Sequence, residues 1–308
     1  MRHGNVLYRM AAVFTLAAAL TGCSAGSGEA PAIPLFELRD GAVTADTEGA
    51  DIEVLNLEDP KQMSYSRTDA DMIFKYKDGS WRDGMDETIP IDQERFQSMA
   101  DLFLNLRAVE EVDEPDAFRT YGLNSPKYQV FLEDGEAGDV EVSIGAQNED
   151  GDYYAAVDED DVYVIKAEAV EALIFDYNSL VVRDSLNLDV NAADVKKATV
   201  TSGGKKTTYK SSDKEAMTRI ANGITQLKPV HFTSYHASSQ DLAYAELDEA
   251  NRTVFTAEIA VGEETRTLTV YIGGYADVDE KWTYIQLGGS DMISMVDSAI
   301  IKELINAE

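Results

Sequence analysis

The stretch YQVFLEDGEAGDVEVSIG, residues 128–145, contains two short apolar runs separated by a turn. In the second run, Val140, Val142 and Ile144 alternate with other residues, which is the pattern of a β-strand with one buried face. Asp134-Gly135 lies between the runs, and an Asp-Gly pair is typical of the turn of a β-hairpin. The sequence therefore predicts two antiparallel strands joined by a short turn.

Strand and helix patterns surround this hairpin in the first half of the chain. A helix is predicted from about Asp92 to Leu106, because Phe96, Met99 and Phe103 fall on one face at helical spacing. Asp92 is suited to cap its first turn. The other predicted elements are strands near Ile52–Leu57, Met72–Lys77, Tyr153–Val157 and Val162–Ile165, a hairpin turn at Asp78-Gly79 and a short helix near Ala167–Ile174.

The second half shows the same order of elements. Strands are predicted on both sides of Gly203-Gly204 and near Thr253–Ala260, Thr267–Ile272 and Trp282–Gln286, with helices over Asp213–Leu227 and Asp297–Ile305. Ser212 and Glu215 have the spacing of a capping box for the first of these helices.

Local sequence matches follow the same order. Val142-Ser143-Ile144-Gly145 aligns with Val270-Tyr271-Ile272-Gly273, and Leu106-Arg107-Ala108-Val109 aligns with Leu227-Lys228-Pro229-Val230. An aromatic residue follows nine positions after each glycine, at Tyr154 and Trp282. Such pairs also arise by chance. With the shared order of elements, they predict an α+β fold of two tandem, diverged repeats of mainly antiparallel sheet with packed helices. The predicted repeats span residues 51–186 and 187–308.

The N-terminus has the layout of an export signal. Arg2 and Arg9 precede an apolar run over residues 10–20, and Leu20-Thr21-Gly22-Cys23 follows it. The run is shorter than the ~20 residues that cross a bilayer, which disfavours a membrane-spanning helix. A plain cleaved signal peptide remains the other alternative.

Cys23 is the only cysteine of the chain, so disulfides and thiolate metal sites are not expected once its thiol is modified. The small, polar residues 24–31 that follow are typical of a flexible linker. Residues 23–50 are therefore predicted to form a tether that holds the folded body off a membrane.

Charge limits the classes of partner. The chain has 57 acidic and 26 basic residues among 308, a net charge of −31. From Ser24 to Leu186 there are 39 acidic and 12 basic residues, and from Asn187 to Glu308 there are 18 and 12. Such a surface is expected to repel nucleic acids and anionic lipid headgroups, because binding to a polyanion depends on Lys and Arg, so nucleic-acid partners are not expected. An acidic surface favours solubility and attracts cations or basic proteins.

Two resemblances to known proteins are present. The segment ending in Gly22-Cys23 resembles the lipobox of bacterial lipoproteins, which implies cleavage after Gly22 and acylation of Cys23. Trp81 with Ile89-Pro90-Ile91-Asp92, Tyr121-Gly122-Leu123-Asn124-Ser125-Pro126, and Ile144-Gly145 with Tyr153-Tyr154 together resemble the bacterial envelope family known as domain of unknown function 4340. That resemblance covers about Asp51 to Asp184. It implies an exported, often lipid-anchored protein, sometimes associated with ABC-type transport systems, and it implies no catalytic residues.

Candidate chemistry in the remaining sequence is sparse. His231 and His236 lie near Ser234, Ser238, Ser239 and Asp241, a set that contains the residue types of a serine hydrolase but no nucleophile-elbow motif. The two histidines also form an incomplete metal-ligand pair. Acidic turns at 149–152 and 158–161 offer oxygen ligands without the spacing of a calcium loop. Ser202-Gly203-Gly204-Lys205 lacks the first glycine of a phosphate loop and is interpreted as a hairpin turn.

The sequence thus favours a non-catalytic, lipid-anchored cell-envelope protein that binds another protein or supports a transport complex. Cys23 would hold it on the outer face of the cytoplasmic membrane, or on the outer membrane of a two-membrane cell. The first alternative is a lipoprotein that binds a small ligand or metal and feeds a transporter. The second is a surface hydrolase that uses His231 or His236. No cofactor, catalytic residue or metal ligand is predicted, and the lipid on Cys23 is the only membrane contact expected.

Overall fold

The computed structural model describes residues 30–67, 70–113, 115–158, 161–174 and 177–305. The predicted signal peptide, Gly22 and Cys23 lie outside these ranges, as do Glu159 and Asp160 of one acidic turn. Among the described helices, none has the length and apolar character of a segment that crosses a membrane.

Strands predominate in the described ranges. They are β1 (Phe36–Leu38), β2 (Ile52–Glu53), β3 (Pro60–Arg67), β4 (Ala70–Lys77), β5 (Ser80–Asp83), β6 (Arg107–Ala108), β7 (Glu110–Glu111), β8 (Tyr128–Asp134), β9 (Gly138–Gln147), β10 (Tyr153–Val157), β11 (Asp161–Ile165), β12 (Arg183–Ser185), β13 (Val195–Ser202), β14 (Lys205–Lys210), β15 (His231–Ser234), β16 (Thr253–Val261), β17 (Glu264–Tyr275), β18 (Trp282–Leu287) and β19 (Ile293–Asp297). The helices are α1 (Gln93–Leu104), α2 (Ala167–Glu171), α3 (Lys214–Gln226), α4 (Ser239–Tyr244) and α5 (Ser298–Ile305), with short 3₁₀-helices at Phe118–Tyr121 and Tyr177–Leu180.

Two large antiparallel sheets organise the fold. The first sheet has the strand order β5-β4-β3-β8-β9-β10-β11-β7, and the second has β14-β13-β16-β17-β18-β19-β15. The predicted hairpin lies at the centre of the first sheet, where β8 pairs with β9 from Tyr128 opposite Ile144 to Asp134 opposite Gly138. Mostly antiparallel sheets with few helices agree with the predicted α+β class.

The two sheets have corresponding strand orders. If β5 is set aside, each strand of the first sheet has a counterpart at the same place in the second, with β4 matched to β14 and β7 to β15. In each half, a long helix follows the first hairpin, and a short helix follows the last strand. The registers also correspond, since Tyr128 lies opposite Ile144 in one sheet and Thr253 lies opposite Ile272 in the other.

Each sheet has one apolar face that forms a core with its long helix. Phe96, Met99 and Phe103 of α1 share a buried cluster with Met63 and Phe74 of the first sheet. In the second half, α3 and α5 contribute to a separate cluster with strands β13, β16 and β17. The alternation of buried and exposed residues along the strands follows from these one-sided cores.

The helix ends agree with the sequence in one case and differ in the other. Asp92 is the N-cap of α1, and its carboxylate accepts a hydrogen bond from the Arg95 backbone N–H at 3.4 Å, as predicted. The predicted capping box of Ser212 and Glu215 is wrong, because the N-cap of α3 is Asp213 and makes no capping bond. The Asp213 carboxylate instead accepts from the Lys210 backbone N–H at 2.9 Å, which closes the turn after β14.

The described part of the predicted tether, residues 30–50, is not a free coil and is called the N-terminal arm below. Ile33 and Ala50 are buried, with 7% and 6% of their surface exposed. The Thr267 backbone N–H donates to Pro31 O at 2.7 Å, and Ile33 N–H donates to Thr267 O at 2.9 Å. The prediction of a tether is therefore wrong for these residues, because apolar side chains and backbone bonds fix the arm to the second sheet.

The arm continues from the second half to the first. Strand β1 pairs with β12 between the two sheets, where the carboxylate of Asp40 forms an ion pair with the buried Arg183. Further along, Gly41 N–H donates to the Asp92 carboxylate at 3.1 Å, at the start of α1. One continuous segment thus contacts both sheets.

Candidate functional site

The segment that contains His231 and His236 begins with a strand of the second sheet. Strand β15 pairs with β19 at the sheet edge, with His231 opposite Met295. The His231 ring lies 6.2 Å from the Trp282 ring, and the His236 ring lies 4.9 Å from the Tyr235 ring, both in edge-on geometry. Sequence reasoning missed β15 because the segment has no alternation of apolar and polar residues.

The serines and the aspartate of this region form a helix cap. Ser238 is the N-cap of α4, and its hydroxyl accepts from the Asp241 backbone N–H at 3.2 Å. The Asp241 carboxylate in turn accepts from the Ser238 backbone N–H at 2.9 Å and from its hydroxyl at 2.8 Å. These bonds hold the pKa of Asp241 below its ordinary value, with the Ser238 backbone bond contributing most. A capping box is what this geometry provides.

The same segment joins the two halves. Phe232 and Tyr235 pack against the core of the first half, and the Phe232 ring lies 6.0 Å from the ring of Tyr177. Phe232 N–H donates to the Asn178 side-chain oxygen at 2.7 Å. Burial, with a smaller contribution from Asp184, raises the pKa of Tyr235 to about 12. The aromatic residues here stabilise an internal contact.

The acidic turns use their carboxylates locally where they are described. The Asn148 side chain accepts from the backbone N–H groups of Asp150 and Asp152 at 3.0 and 2.9 Å. Asp152 accepts from Ala167 N–H at 3.0 Å and lies 3.4 Å from the Lys166 ammonium. In the described ranges, no three His, Cys, Asp or Glu residues are grouped so that they could hold a metal ion.

The Gly203-Gly204 turn is the hairpin turn that the sequence predicts. Ser202 lies opposite Lys205, and both glycines have positive φ, +54° and +78°. Two such residues are typical of the two-residue turn that joins twisted antiparallel strands. The sequence SGGKK is therefore a connection between strands.

The landmark residues of the first half have packing roles, as predicted. Trp81 is buried between Tyr76 and Phe96, with ring distances of 5.1 and 4.9 Å, and its indole N–H donates to the Gln97 side chain at 2.9 Å. Gly122 has φ +74°. A β-carbon on Gly145 would overlap the carbonyl oxygen of Tyr121, so glycine is required for this turn to lie against β9.

Residues 81–217 match the family model described as domain of unknown function (DUF4340). The match begins at the landmark Trp81 and extends past the predicted limit near Asp184 into α3. It supports the family resemblance inferred from the landmarks over these residues. No curated protein and no solved structure matches the chain.

The landmark Tyr121-Gly122-Leu123 has a counterpart in the second half. Leu123 N–H donates to Phe118 O, and Leu247 N–H donates to Leu242 O. A β-carbon on Gly273 would overlap Ala245 O. The counterpart is therefore Ala245-Glu246-Leu247. Sequence comparison missed it because Glu246, with φ +55°, replaces the glycine.

The aromatic match was also misplaced by two positions. Ala155 lies opposite Ile144, and Ile285 lies opposite Ile272, so the neighbouring Tyr154 corresponds to Tyr284. Both sheets have the same irregularity after Ile144 and Ile272, but seven residues separate the last paired positions in the second half and five do so in the first, so equal sequence spacing selects Trp282 instead. Structural correspondence thus differs from sequence spacing at this strand.

The outer face of each sheet, opposite its core, is open over four strands. In the first half, Ile73, Ser64, Phe131 and Glu141 lie opposite one another in a row across β4, β3, β8 and β9. Ile73 and Phe131 are large apolar side chains that are 37% and 38% exposed. The corresponding row of the second sheet is Thr208, Thr199, Thr256 and Thr269.

The charges around these rows have opposite sign. Within β4, β3, β8 and β9, four carboxylates and two ammonium groups point outward, at Asp71, Glu133, Asp139, Glu141, Lys75 and Lys77, and Arg82 of the adjacent β5 lies opposite Lys75 on the same face. Within β14, β13, β16 and β17, three ammonium groups and one carboxylate do so, at Lys197, Lys206, Lys210 and Glu258. Corresponding surfaces of the two halves therefore suit different partners.

Two concave regions lie on the second half. A shallow groove of about 880 Å³ lies on its outer face, with a floor of threonines that includes Thr199, Thr256 and Thr267 and with Ala30 and Ala32 of the N-terminal arm along it. A smaller cavity of about 340 Å³ is lined by Ile33, Leu35, Leu188 and Val261 with the charged Glu264 and Arg266. Both include the arm, so neither would exist with a free tether.

Proposed function

We propose that this chain is a lipid-anchored, non-catalytic cell-envelope protein that binds another protein through the open face of its first sheet. The Leu20-Thr21-Gly22-Cys23 segment after an apolar run supports acylation of Cys23. The membrane would be the cytoplasmic membrane at its outer face, or the outer membrane of a two-membrane cell.

We also infer that the two halves are tandem, diverged repeats. Corresponding strand orders support this inference. The backbone bonds of matched residues support it further, since Val109 N–H donates to Val164 O on the last long strand of one sheet and Val230 N–H donates to Met295 O on that of the other. Duplication would produce two sheets with similar cores, and the outer face of each sheet could then diverge in sequence.

The observation that carries the binding proposal is the row that contains Ile73 and Phe131. Large apolar residues that lie together on an exposed polar face often mark protein contacts. The carboxylates around them favour a partner with an apolar centre and a basic rim. An ABC-type transport protein is one such candidate, as the DUF4340 resemblance implies.

The non-catalytic part of the proposal draws on the region of His231 and His236. The carboxylate of Asp241 is engaged by Ser238 at 2.8 and 2.9 Å, so it serves as a helix cap and not as the orienting acid of a triad. A hydrolase that used Asp241 as the orienting acid of its triad would require the hydrogen bonds between Asp241 and Ser238 to break.

Site-specific photo-crosslinking in cells tests the binding proposal. A photoreactive amino acid in place of Phe131 is expected to capture one defined partner, and the same amino acid in place of Thr256 is the matched control on the other sheet. Capture of the same partner from both positions, or of none from Phe131, would contradict binding through this face.

A second candidate function is the binding of a small apolar ligand. The 340 Å³ cavity between the N-terminal arm and Leu188 supports it, since apolar cavities of ~300 Å³ or more are typical of ligand sites. A thermal-shift series with fatty acids tests it, with calcium as the metal control. A Val261→Glu substitution should abolish any shift, and the absence of a shift in the wild-type protein would exclude this candidate.

A further inference from the structure

We propose that the open outer face of the second sheet lies on the anionic headgroup surface of the membrane that carries the anchor. The proposal rests on lipid anchoring through Cys23 and assigns a second, electrostatic contact. Three independent observations support it. They are the position of Ala30, at which the described residues begin, the lysines of the first hairpin of this sheet, and the threonine hydroxyl groups of the groove.

The described residues begin at this face, with Ala30. Thr267 is hydrogen-bonded to Ala30 through its hydroxyl at 3.2 Å and to Pro31 through its backbone N–H at 2.7 Å. Seven residue steps separate Ala30 from Cys23, and a fully extended chain spans at most about 3.3–3.6 Å per residue, or roughly 25 Å in total. A body tied this closely has its second sheet near the bilayer.

The first hairpin of the same sheet is basic. Residues 195–210 contain five Lys and no acidic residue, in a chain of net charge −31. Lys206 and Lys210 point outward from the edge strand β14. Neither ammonium group forms an ion pair with a described acidic residue, and Lys197 is paired with Glu258 at 2.7 Å. Unpaired lysines near an anionic leaflet are attracted to it.

The groove supplies hydrogen-bond donors between these lysines. Four threonines follow one another across four adjacent strands, at the ~4.8 Å spacing of a sheet. Thr199 is only 6% exposed and lines the groove floor. Hydroxyl groups donate to phosphate oxygens without adding charge, so this surface is compatible with lipid headgroups and with the water between them.

The first sheet provides the contrast. Its corresponding face is acidic and contains the apolar residues Ile73 and Phe131, so an anionic leaflet repels it. Docking of the second sheet would therefore leave the first available to a protein partner. Binding of a protein to the first sheet and docking of the second sheet on the membrane are compatible, and neither of these two contacts requires the other.

Fluorescence quenching of the anchored protein tests the proposal. A genetically encoded fluorescent amino acid replaces either Thr208 or its counterpart Ile73. Protein with lipid on Cys23 is placed in vesicles of phosphatidylglycerol and phosphatidylcholine that contain a headgroup nitroxide. We expect quenching at position 208 to exceed that at position 73 by about threefold or more, and the difference to vanish in about 0.5 M salt or in vesicles of phosphatidylcholine alone.

Charge variants complete the design. The Lys206→Glu and Lys210→Glu double variant should remove the difference, whereas Lys75→Glu with Lys77→Glu on the first sheet is the matched control and should retain it. Equal quenching at the two positions, or a difference that resists salt and the Lys206/Lys210 double variant, would overturn the proposal.

A separate measurement covers the anchor. Flotation of cell membranes compares the membrane association of the wild-type protein with that of Cys23→Ser. The mass of the peptide that contains Cys23 then shows whether lipid is attached to it in cells. If it is not, a maleimide lipid coupled to Cys23 supplies the same tether, and the quenching result still decides the docking proposal. Failure of the anchor and failure of docking are thereby distinguished.

Discussion

The outer faces of the two sheets occupy corresponding positions and differ in chemistry. The first presents Ile73 and Phe131 among carboxylates, whereas the second presents four threonines among lysines. The inner faces remain alike, since Val130 and Val142 are buried in one sheet and Phe255 and Val270 in the other. The comparison indicates that the core constrains one face of each strand, while the other face is free to acquire a separate role.

The largest expected effect tests whether the two halves share one architecture. Gly145→Ala and Gly273→Ala should each lower the free energy of unfolding by about 2–3 kcal/mol, because the new methyl group overlaps a backbone carbonyl. Urea denaturation measures both. Gly274→Ala is the control, since its methyl group would meet the flexible side chain of Glu246 and should cost less. Strong destabilisation at only one of the two glycines would argue against equivalent turns.

A pH-dependent contact distinguishes the halves. The Asp134 carboxylate accepts backbone bonds from Ala137 and Glu136 on one oxygen and from Asp59 on the other. These bonds, chiefly the one from Ala137, hold the pKa of Asp134 below its ordinary value of 3.8. Their contribution is present above that value and is lost as the pH falls through the lower pKa of the folded state.

Asp134→Asn should therefore reduce stability by about 1–2 kcal/mol at neutral pH, through loss of the charged acceptor. The difference from the wild-type protein should shrink at pH values below about 3.8. Urea unfolding followed at both pH values measures it. A difference that is constant with pH would show that the charge of Asp134 is not involved.

The helix caps of the second half give a smaller effect. Ser238→Ala should cost about 1 kcal/mol because it removes the capping bonds of α4. Ser212→Ala is the matched control and should be almost neutral, since α3 has no side-chain cap. Thermal denaturation of the two variants compares them. Equal losses would contradict the assignment of the cap to Ser238.

The smallest expected effect has the opposite sign. Glu246 has φ +55° where its counterpart Gly122 has φ +74°. Glu246→Gly should stabilise the protein by about 0.5 kcal/mol, because relief of left-handed strain exceeds the entropy cost of glycine. Chemical denaturation would detect it against Glu249→Gly, an exposed control in the following turn. A loss of stability would indicate that the Glu246 side chain has a role of its own.

The regular elements were predictable because burial on one face leaves a period in the sequence. The helix from Asp92 and the hairpin of β8 and β9 follow that rule. Strand β15 and the N-terminal arm do not, since they are held by backbone contacts to β19 and to Thr267 of β17, which are distant in the sequence. The row that contains Ile73 and Phe131 and the row of four threonines could not be predicted, because they depend on the register between neighbouring strands, and that register is known only from the structure. The lipid anchor remains a prediction from Gly22 and Cys23.

The N-terminal arm also affects the order in which the protein folds. Ala32 is hydrogen-bonded to Arg266, 234 positions later in the chain, so the first part of the body to be synthesised pairs with one of the last. Contacts of such separation form slowly. Until β17 is complete, the arm has no strand to pair with. The N-terminal arm therefore gains its strand partner only late in synthesis, although it is among the first described residues to be made.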